Sequence, residues 1–172
     1  MAMNKPFSFT YWIRKTGASL FFLGYIPYIP GTVGSAVATV FVWYAHQKWG
    51  DFLSPEKLAL HWVALIAVTA ISIFLSSRDK EVFGSSDPSQ IIIDEVAGQL
   101  ITFFMIPISL KTLLLGFLLF RFYDIVKPFP VYQMQELEEG VGVTMDDVVA
   151  GVLANVSLMI ILWGYDWVRG YL

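Results

Sequence analysis

The chain has 172 residues, of which 56% are hydrophobic, 16% aromatic and 15% charged, and a soluble domain of this size carries a charged share of about 25%. A net charge of -3 without any basic run offers nothing to a nucleic-acid backbone. With no cysteine, the chain has no disulfide, no thiolate nucleophile and no cysteine-ligated metal centre. This is the composition of a membrane protein, and without internal repeats or a composition break it reads as one domain over residues 1–172.

Residues 1–15 form a polar and aromatic lead carrying Lys5, Arg14 and Lys15, and an apolar run follows over 20–29. Pro27 and Pro30 interrupt that run and no small-residue cleavage site follows it. A retained half-buried or interfacial helix is therefore expected there, not a signal peptide. The segment P-G-T-V-G-S, 30–35, opens an uncharged run through 45. Gly31 and Gly34 would let backbone N–H groups approach an anion, and Thr32 and Ser35 add hydroxyls at a helix N-terminus. A plain turn with an N-cap, or close packing of membrane helices, uses the same small residues.

Further apolar spans cover 58–75, 96–108, 113–122 and 148–163. Several fall short of the roughly 20 residues that cross a bilayer squarely, so extension or partial insertion is expected. The reading is an all-α, multihelical integral membrane bundle, with about four to five membrane-embedded helices plus an interfacial N-terminal helix. If the spans alternate, segments 30–35, 78–95, 121–127 and the pair Asp146 and Asp147 share one membrane face. That face holds Lys5, Arg14, Lys15, Arg78, Lys80, Arg121 and Lys127, against Lys48, Lys57, Lys111 and Arg169 opposite. The excess of positive charge makes it cytoplasmic.

Two acidic pairs precede small-residue apolar stretches: Asp94 and Glu95 before V-A-G-Q-L, and Asp146 and Asp147 before V-V-A-G-V-L-A-N. Either pair alone is accounted for by helix-dipole and capping chemistry. Both pairs together with Asp124, brought to one face, form a set of hard oxygen donors suited to Mg2+. Arg121, Asp124 and Lys127 recur every third residue at the end of an apolar run that Pro128 stops, so they share roughly one helix face. An Arg fork and a Lys point charge would hold a phosphomonoester there. Water or a carboxylate could then attack the phosphorus. Phe120, Phe122, Phe129 and Tyr132 offer an apolar wall beside this segment, or equally an interfacial aromatic belt.

Four segments carry a resemblance: P-G-T-V-G-S (30–35), D-P-S-Q-I-I-I-D-E-V-A-G (87–98), F-R-F-Y-D-I-V-K-P-F-P (120–130) and M-D-D-V-V-A-G (145–151). In order and spacing they closely resemble the motifs of the phosphatidylglycerophosphatase A family, over about residues 24–155. The resemblance implies a Mg2+-dependent, multi-pass lipid phosphatase of the bacterial inner membrane with a cytoplasm-facing active site. Its reaction would remove the terminal phosphate of phosphatidylglycerophosphate to give phosphatidylglycerol. Carried over by position, Asp94, Glu95, Arg121, Asp124, Lys127, Asp146 and Asp147 become catalytic residues and the five carboxylates among them metal ligands. Thr32, Gly34 and Ser35 join Arg121 and Lys127 as phosphate binders. Phe129 stands where the family often has Trp, and Ile29 where a small residue is common.

The alternatives are a membrane phosphatidyltransferase or a cation- or proton-coupled transporter using the same carboxylates. The transferases' D-G-x-x-A-R signature is missing, as are the repeats and midplane acids expected of a transporter. Histidine-dependent lipid phosphatases are disfavoured because His46 and His61 lie away from the charged segments.

Overall fold

The computed structural model describes residues 8–50 and 57–169, among which there are eight α-helices and no strand. They are α1 (Phe9–Ala18), α2 (Pro30–Trp49), α3 (Leu58–Ser76), α4 (Asp79–Phe83), α5 (Ile93–Thr102), α6 (Leu110–Val126), α7 (Val131–Met134) and α8 (Glu139–Arg169). Two stretches, Leu58–Ser76 and Glu139–Trp167, are long and apolar enough to cross a membrane. Lys5, residues 51–56 of the expected 48–57 loop, and the side chain of Arg169 lie outside what is described.

Local chemistry sets the helix limits. Pro30 occupies the first turn of α2, where its missing N–H costs nothing. Ser109 and Thr112 cap α6 reciprocally: the Thr112 N–H donates to Ser109 Oγ at 3.2 Å and the Ser109 N–H to Thr112 Oγ1 at 2.9 Å. At the other end Lys127 turns left-handed at φ 46 and donates its N–H to the Tyr123 carbonyl, 2.9 Å, and Pro128 forbids another turn.

The long helix α8 is the spine against which α5, α6, α3 and α7 pack. Its contact with α5 is backbone against backbone. A Cβ on Gly151 would lie 2.3 Å from the Gly98 carbonyl oxygen, and one on Gly98 only 2.5 Å from that of Asp147. No larger side chain fits this crossing without moving a helix. Below the crossing Phe103, Ile106, Leu113, Leu158 and Val42 form an apolar cluster. Phe120, Val131, Ala150 and Ala154 form another beside it. Phe120 therefore belongs to the core and not to a wall beside the site.

Three expectations change. The span 96–108 becomes the ten-residue α5, about 15 Å long and so about half of what a bilayer crossing needs. It can stop inside the apolar interior because Asn155 Nδ2 donates to the carbonyls of Thr102, 3.0 Å, and Phe104, 2.7 Å. The run 20–29 is not an α-helix. Leu20, Phe21, Phe22 and Tyr28 all have positive φ, and only Leu23–Tyr25 forms a 3-10 turn. There Gly24 is pressed so tightly on the Gln90 carbonyl that a Cβ would lie 2.1 Å from its oxygen. The N-terminal helix comes earlier, at Phe9–Ala18, capped by Ser8, whose Oγ accepts from the Thr10 N–H at 3.2 Å. Finally, α8 begins at Glu139, so Asp146 and Asp147 sit two turns inside a helix and not at its start.

Candidate active site

Three helices deliver charged side chains to one cavity of about 450 Å³, and a fourth forms part of its wall. The first turn of α5 supplies Asp94 and Glu95, α8 supplies Asp146 and Asp147, and the end of α6 supplies Arg121, Asp124 and Lys127. The first turn of α2 contributes Gly31 and Thr32. All seven charged residues proposed from sequence line this space.

Among them the carboxylates divide by partner. Oxygens of Asp94, Glu95 and Asp147 lie within 4.8 Å of one another, and all three residues are buried. Glu95 Oε2 and Asp147 Oδ1 have no hydrogen-bond partner among the described residues. Asp124 and Asp146 stand outside this triad, each engaged by a cation. Asp124 Oδ2 is 2.6 Å from Arg121 Nη1, and Asp146 Oδ2 accepts from Lys127 Nζ. Lys127 Nζ is also 4.0 Å from Asp124 Oδ1, and Arg121 Nη1 is 3.9 Å from Glu95 Oε1.

Like charges at such separations repel by roughly 3–4 kcal/mol per pair at an effective dielectric constant of about 20. Burial pushes the Asp94 carboxyl up to about 7. Burial, with the neighbouring Asp94 charge, raises Glu95 well above the usual carboxylate range. Burial also works against the charge on Lys127, but Asp146 and Asp124 more than offset it and hold the ammonium above its ordinary value. Three buried carboxylates with two unpartnered oxygens are what a hard divalent cation would satisfy. The residues present fit such an ion.

The P-G-T-V-G-S segment turns out to support as much as to line. Thr32 is on the cavity wall, whereas Gly34 and Ser35 are buried beneath it. Ser35 Oγ donates to the Gly31 carbonyl at 2.8 Å and accepts from Arg121 Nη1 at 3.4 Å, so it steadies the guanidinium. At Gly31 a Cβ would lie 2.3 Å from Glu95 Oε1 and 3.0 Å from Arg121 Nη1. A side chain at this position would displace the Glu95 carboxylate and crowd the Arg121 guanidinium.

The residues that match known proteins include this whole cavity. Residues 16–162 match the family model described as Phosphatidylglycerophosphatase A. The chain belongs to the phosphatidylglycerophosphatase A family. It is 32% identical over 151 residues to phosphatidylglycerophosphatase A of Escherichia coli K12, covering 87% of this chain and 82% of that protein. Against phosphatidylglycerophosphatase A of Haemophilus influenzae Rd the identity is 34% over 140 residues, with 80% and 82% covered. A Bacteroides thetaiotaomicron relative, named provisionally as a phosphatidylinositol-3-phosphatase, is 34% identical over 145 residues, with 81% and 87% covered. No solved structure matches the chain. As a member of this family the chain is a phosphatase.

One cavity residue of this family member is not found by looking for acids beside apolar runs. Asp87, with a left-handed φ of 46, lines the same cavity as Lys127. Its N–H donates to Asp79 Oδ2 at 2.8 Å, and its Oδ2 accepts from Gln135 Nε2 at 3.3 Å. Burial raises its carboxyl, partly offset by Lys127. The signal was the Asp-Pro pair that opens the second motif. Neither His46 nor His61 lines the cavity; His61 is buried and lies edge-on to Phe104, with ring centroids 6.1 Å apart.

Proposed function

We propose that this chain is a Mg2+-dependent phosphatase that hydrolyses the terminal phosphomonoester of phosphatidylglycerophosphate, releasing inorganic phosphate and leaving phosphatidylglycerol. The observation that carries the reading is the juxtaposition, in one cavity, of the Asp94, Glu95 and Asp147 triad with the paired cations Arg121 and Lys127. An acidic triad alone would repel a phosphate, and two cations alone would bind it without promoting reaction.

Asp94, Glu95 and Asp147 would hold the metal ion. Held by these three carboxylates, a Mg2+ ion would supply neutralisation of the charge that develops on the phosphoryl oxygens. Asp124 holds the Arg121 fork in place and Asp146 holds Lys127, so both cations face the phosphate in a fixed orientation. Thr32 offers a hydroxyl on the same wall, with Gly34 and Ser35 setting the position of α2 and Arg121. Either water attacks the phosphorus directly, or a carboxylate does so and water then hydrolyses the acyl phosphate. In both routes one water is consumed, its oxygen leaves in inorganic phosphate and a proton ends on the glycerol oxygen.

In our reading the chain is one multi-pass domain of a bacterial inner membrane. Helices α2, α3 and α8 and the α5–α6 hairpin are its membrane-embedded parts, and the charged cavity faces the cytoplasm. A phosphorylated inositol lipid is the second substrate reading, favoured by the provisional name of the Bacteroides relative.

The test is phosphate release from phosphatidylglycerophosphate in detergent micelles, with Mg2+ and then with chelator, for wild type and Asp124→Asn. Release that needs both the metal and Asp124 supports the reading. No release from folded wild type would transfer weight to phosphatidyl transfer or transport. Faster release from a phosphatidylinositol phosphate would favour the second substrate.

A further inference from the structure

The charged cavity has an apolar lip. Fully exposed Tyr28 and half-exposed Ile29 border it beside α2, and Ile125 borders it at the end of α6. From Ile125 the exposed residues Phe122, Leu118 and Leu114 continue down α6, at spacings of three or four that place them on one face. Between positions 114 and 125 this row covers roughly 16 Å at about 1.5 Å per residue. That is close to half of a hydrocarbon core about 30 Å thick.

Exposed apolar residues are ordinary on a bilayer-facing helix, and α3 has its own in Val63 and Ile66. The α6 row differs because its last member, Ile125, is part of the cavity wall, within one helical turn of both Arg121 and Asp124. An apolar track about one leaflet long therefore runs directly into the charged cavity. A soluble phosphate ester would have no use for the track. A glycerophospholipid needs it, since its headgroup must reach the cations while its chains stay in the bilayer.

We propose that this face of α6 seats an acyl chain of the phospholipid substrate, which enters sideways within one leaflet through the lip formed by Tyr28, Ile29 and Ile125. The inference rests on the lipid-phosphatase reading and adds where the hydrophobic part of the substrate lies. Recognition is then divided: the cavity reads the phosphate and the α6 face reads the chain. Substrate chain length controls KM, and the chemical step depends on the cavity alone.

The experiment measures phosphate release by the full chain from dioleoyl- and from water-soluble dihexanoyl-phosphatidylglycerophosphate. Wild type is compared with Leu118→Ser/Phe122→Ser and with Val63→Ser on α3. The α6 variant is expected to raise KM for the dioleoyl substrate about tenfold, with kcat unchanged and the dihexanoyl kinetics unaltered, and Val63→Ser to change neither. Equal loss on both substrates, or an equal effect of Val63→Ser, overturns the chain seat and leaves the phosphatase standing. Release from neither substrate by folded wild type overturns both. A second measurement does not depend on the variant folding. Wild type is photolabelled with a dioleoyl-type substrate carrying a diazirine near its chain end, and adducts are expected on the 114–125 segment of α6. Adducts confined to α3 overturn the proposal.

Discussion

The two acidic pairs look alike as strings, D-E-V-A-G and D-D-V-V-A-G, yet they occupy different physical situations. Asp94 and Glu95 lie in the first turn of α5, where free N–H groups and the helix dipole favour negative charge. Asp146 and Asp147 lie two turns into α8, where backbone N–H groups are already engaged and the dipole gives little. The position of the first pair has a local explanation, although Glu95, like Asp147, keeps a buried oxygen without a partner among the described residues. The second has no capping explanation: Asp146 is compensated by Lys127, and Asp147 keeps a buried oxygen without a partner. An acid retained where no local force favours it marks chemistry more clearly than one at a helix start.

The comparison is broken most directly at Asp147. Asp147→Asn should lower phosphate release by about a thousandfold or more without lowering the thermal midpoint in detergent, because it removes a buried charge that has no local support. Asp94→Asn should lose as much activity. Near-normal turnover in both variants would show that the triad is not the reaction centre.

A smaller effect is expected at the crossing that brings the pairs together. Gly151→Ala must shift α8 from α5, because its Cβ would meet the Gly98 carbonyl. A displacement of about 1 Å costs on the order of a hundredfold in activity, and a Mn2+ titration followed by electron paramagnetic resonance should show weaker binding. Gly164→Ala on the same helix, with nothing within 4 Å of its Cβ, should change neither quantity.

Acidity sharpens the contrast further. The Asp94 carboxyl, raised to about 7 by burial, lies above its unfolded value of about 3.9. Between those limits the folded chain holds a proton that the unfolded chain has released, so stability falls as pH rises. In chelator, the thermal midpoint should decline as pH rises from about 4 through 7, and added Mg2+ should restore it at the upper end of that range. A midpoint that rises with pH over this range would contradict the burial argument. The smallest effect belongs to the true start of α8. Glu139→Gln should change stability by less than about 0.5 kcal/mol in a chemical or thermal unfolding measurement and leave activity intact.

Much of this protein could be read from local pattern. Apolar runs and proline positions predicted α2, α3 and α6 nearly as they stand, because span composition and Pro128 act on the residues beside them. The spacing of Arg121, Asp124 and Lys127 likewise reported their shared helix face, since a helix repeats every 3.6 residues wherever it sits. What pattern could not report was depth along α8. The apolar count started at Val148, whereas the helix runs back through the polar stretch to Glu139, and that stretch packs on its neighbours: Gly140 lies against the Ile73 carbonyl at the end of α3, and Thr144 hydrogen-bonds Ser72 at 2.8 Å. Nor could spacing reveal which three of five carboxylates would meet, that Ser35 would hold Arg121, or that Asp87 would join from a loop. Sequence by itself determined the helical class, the membrane-like composition and the family of charged residues. The tertiary structure alone decided their division into a metal-competent triad and two carboxylate-held cations. The physical reason is that this division depends on the backbone distance at Gly98 and Gly151, a contact between segments 53 positions apart.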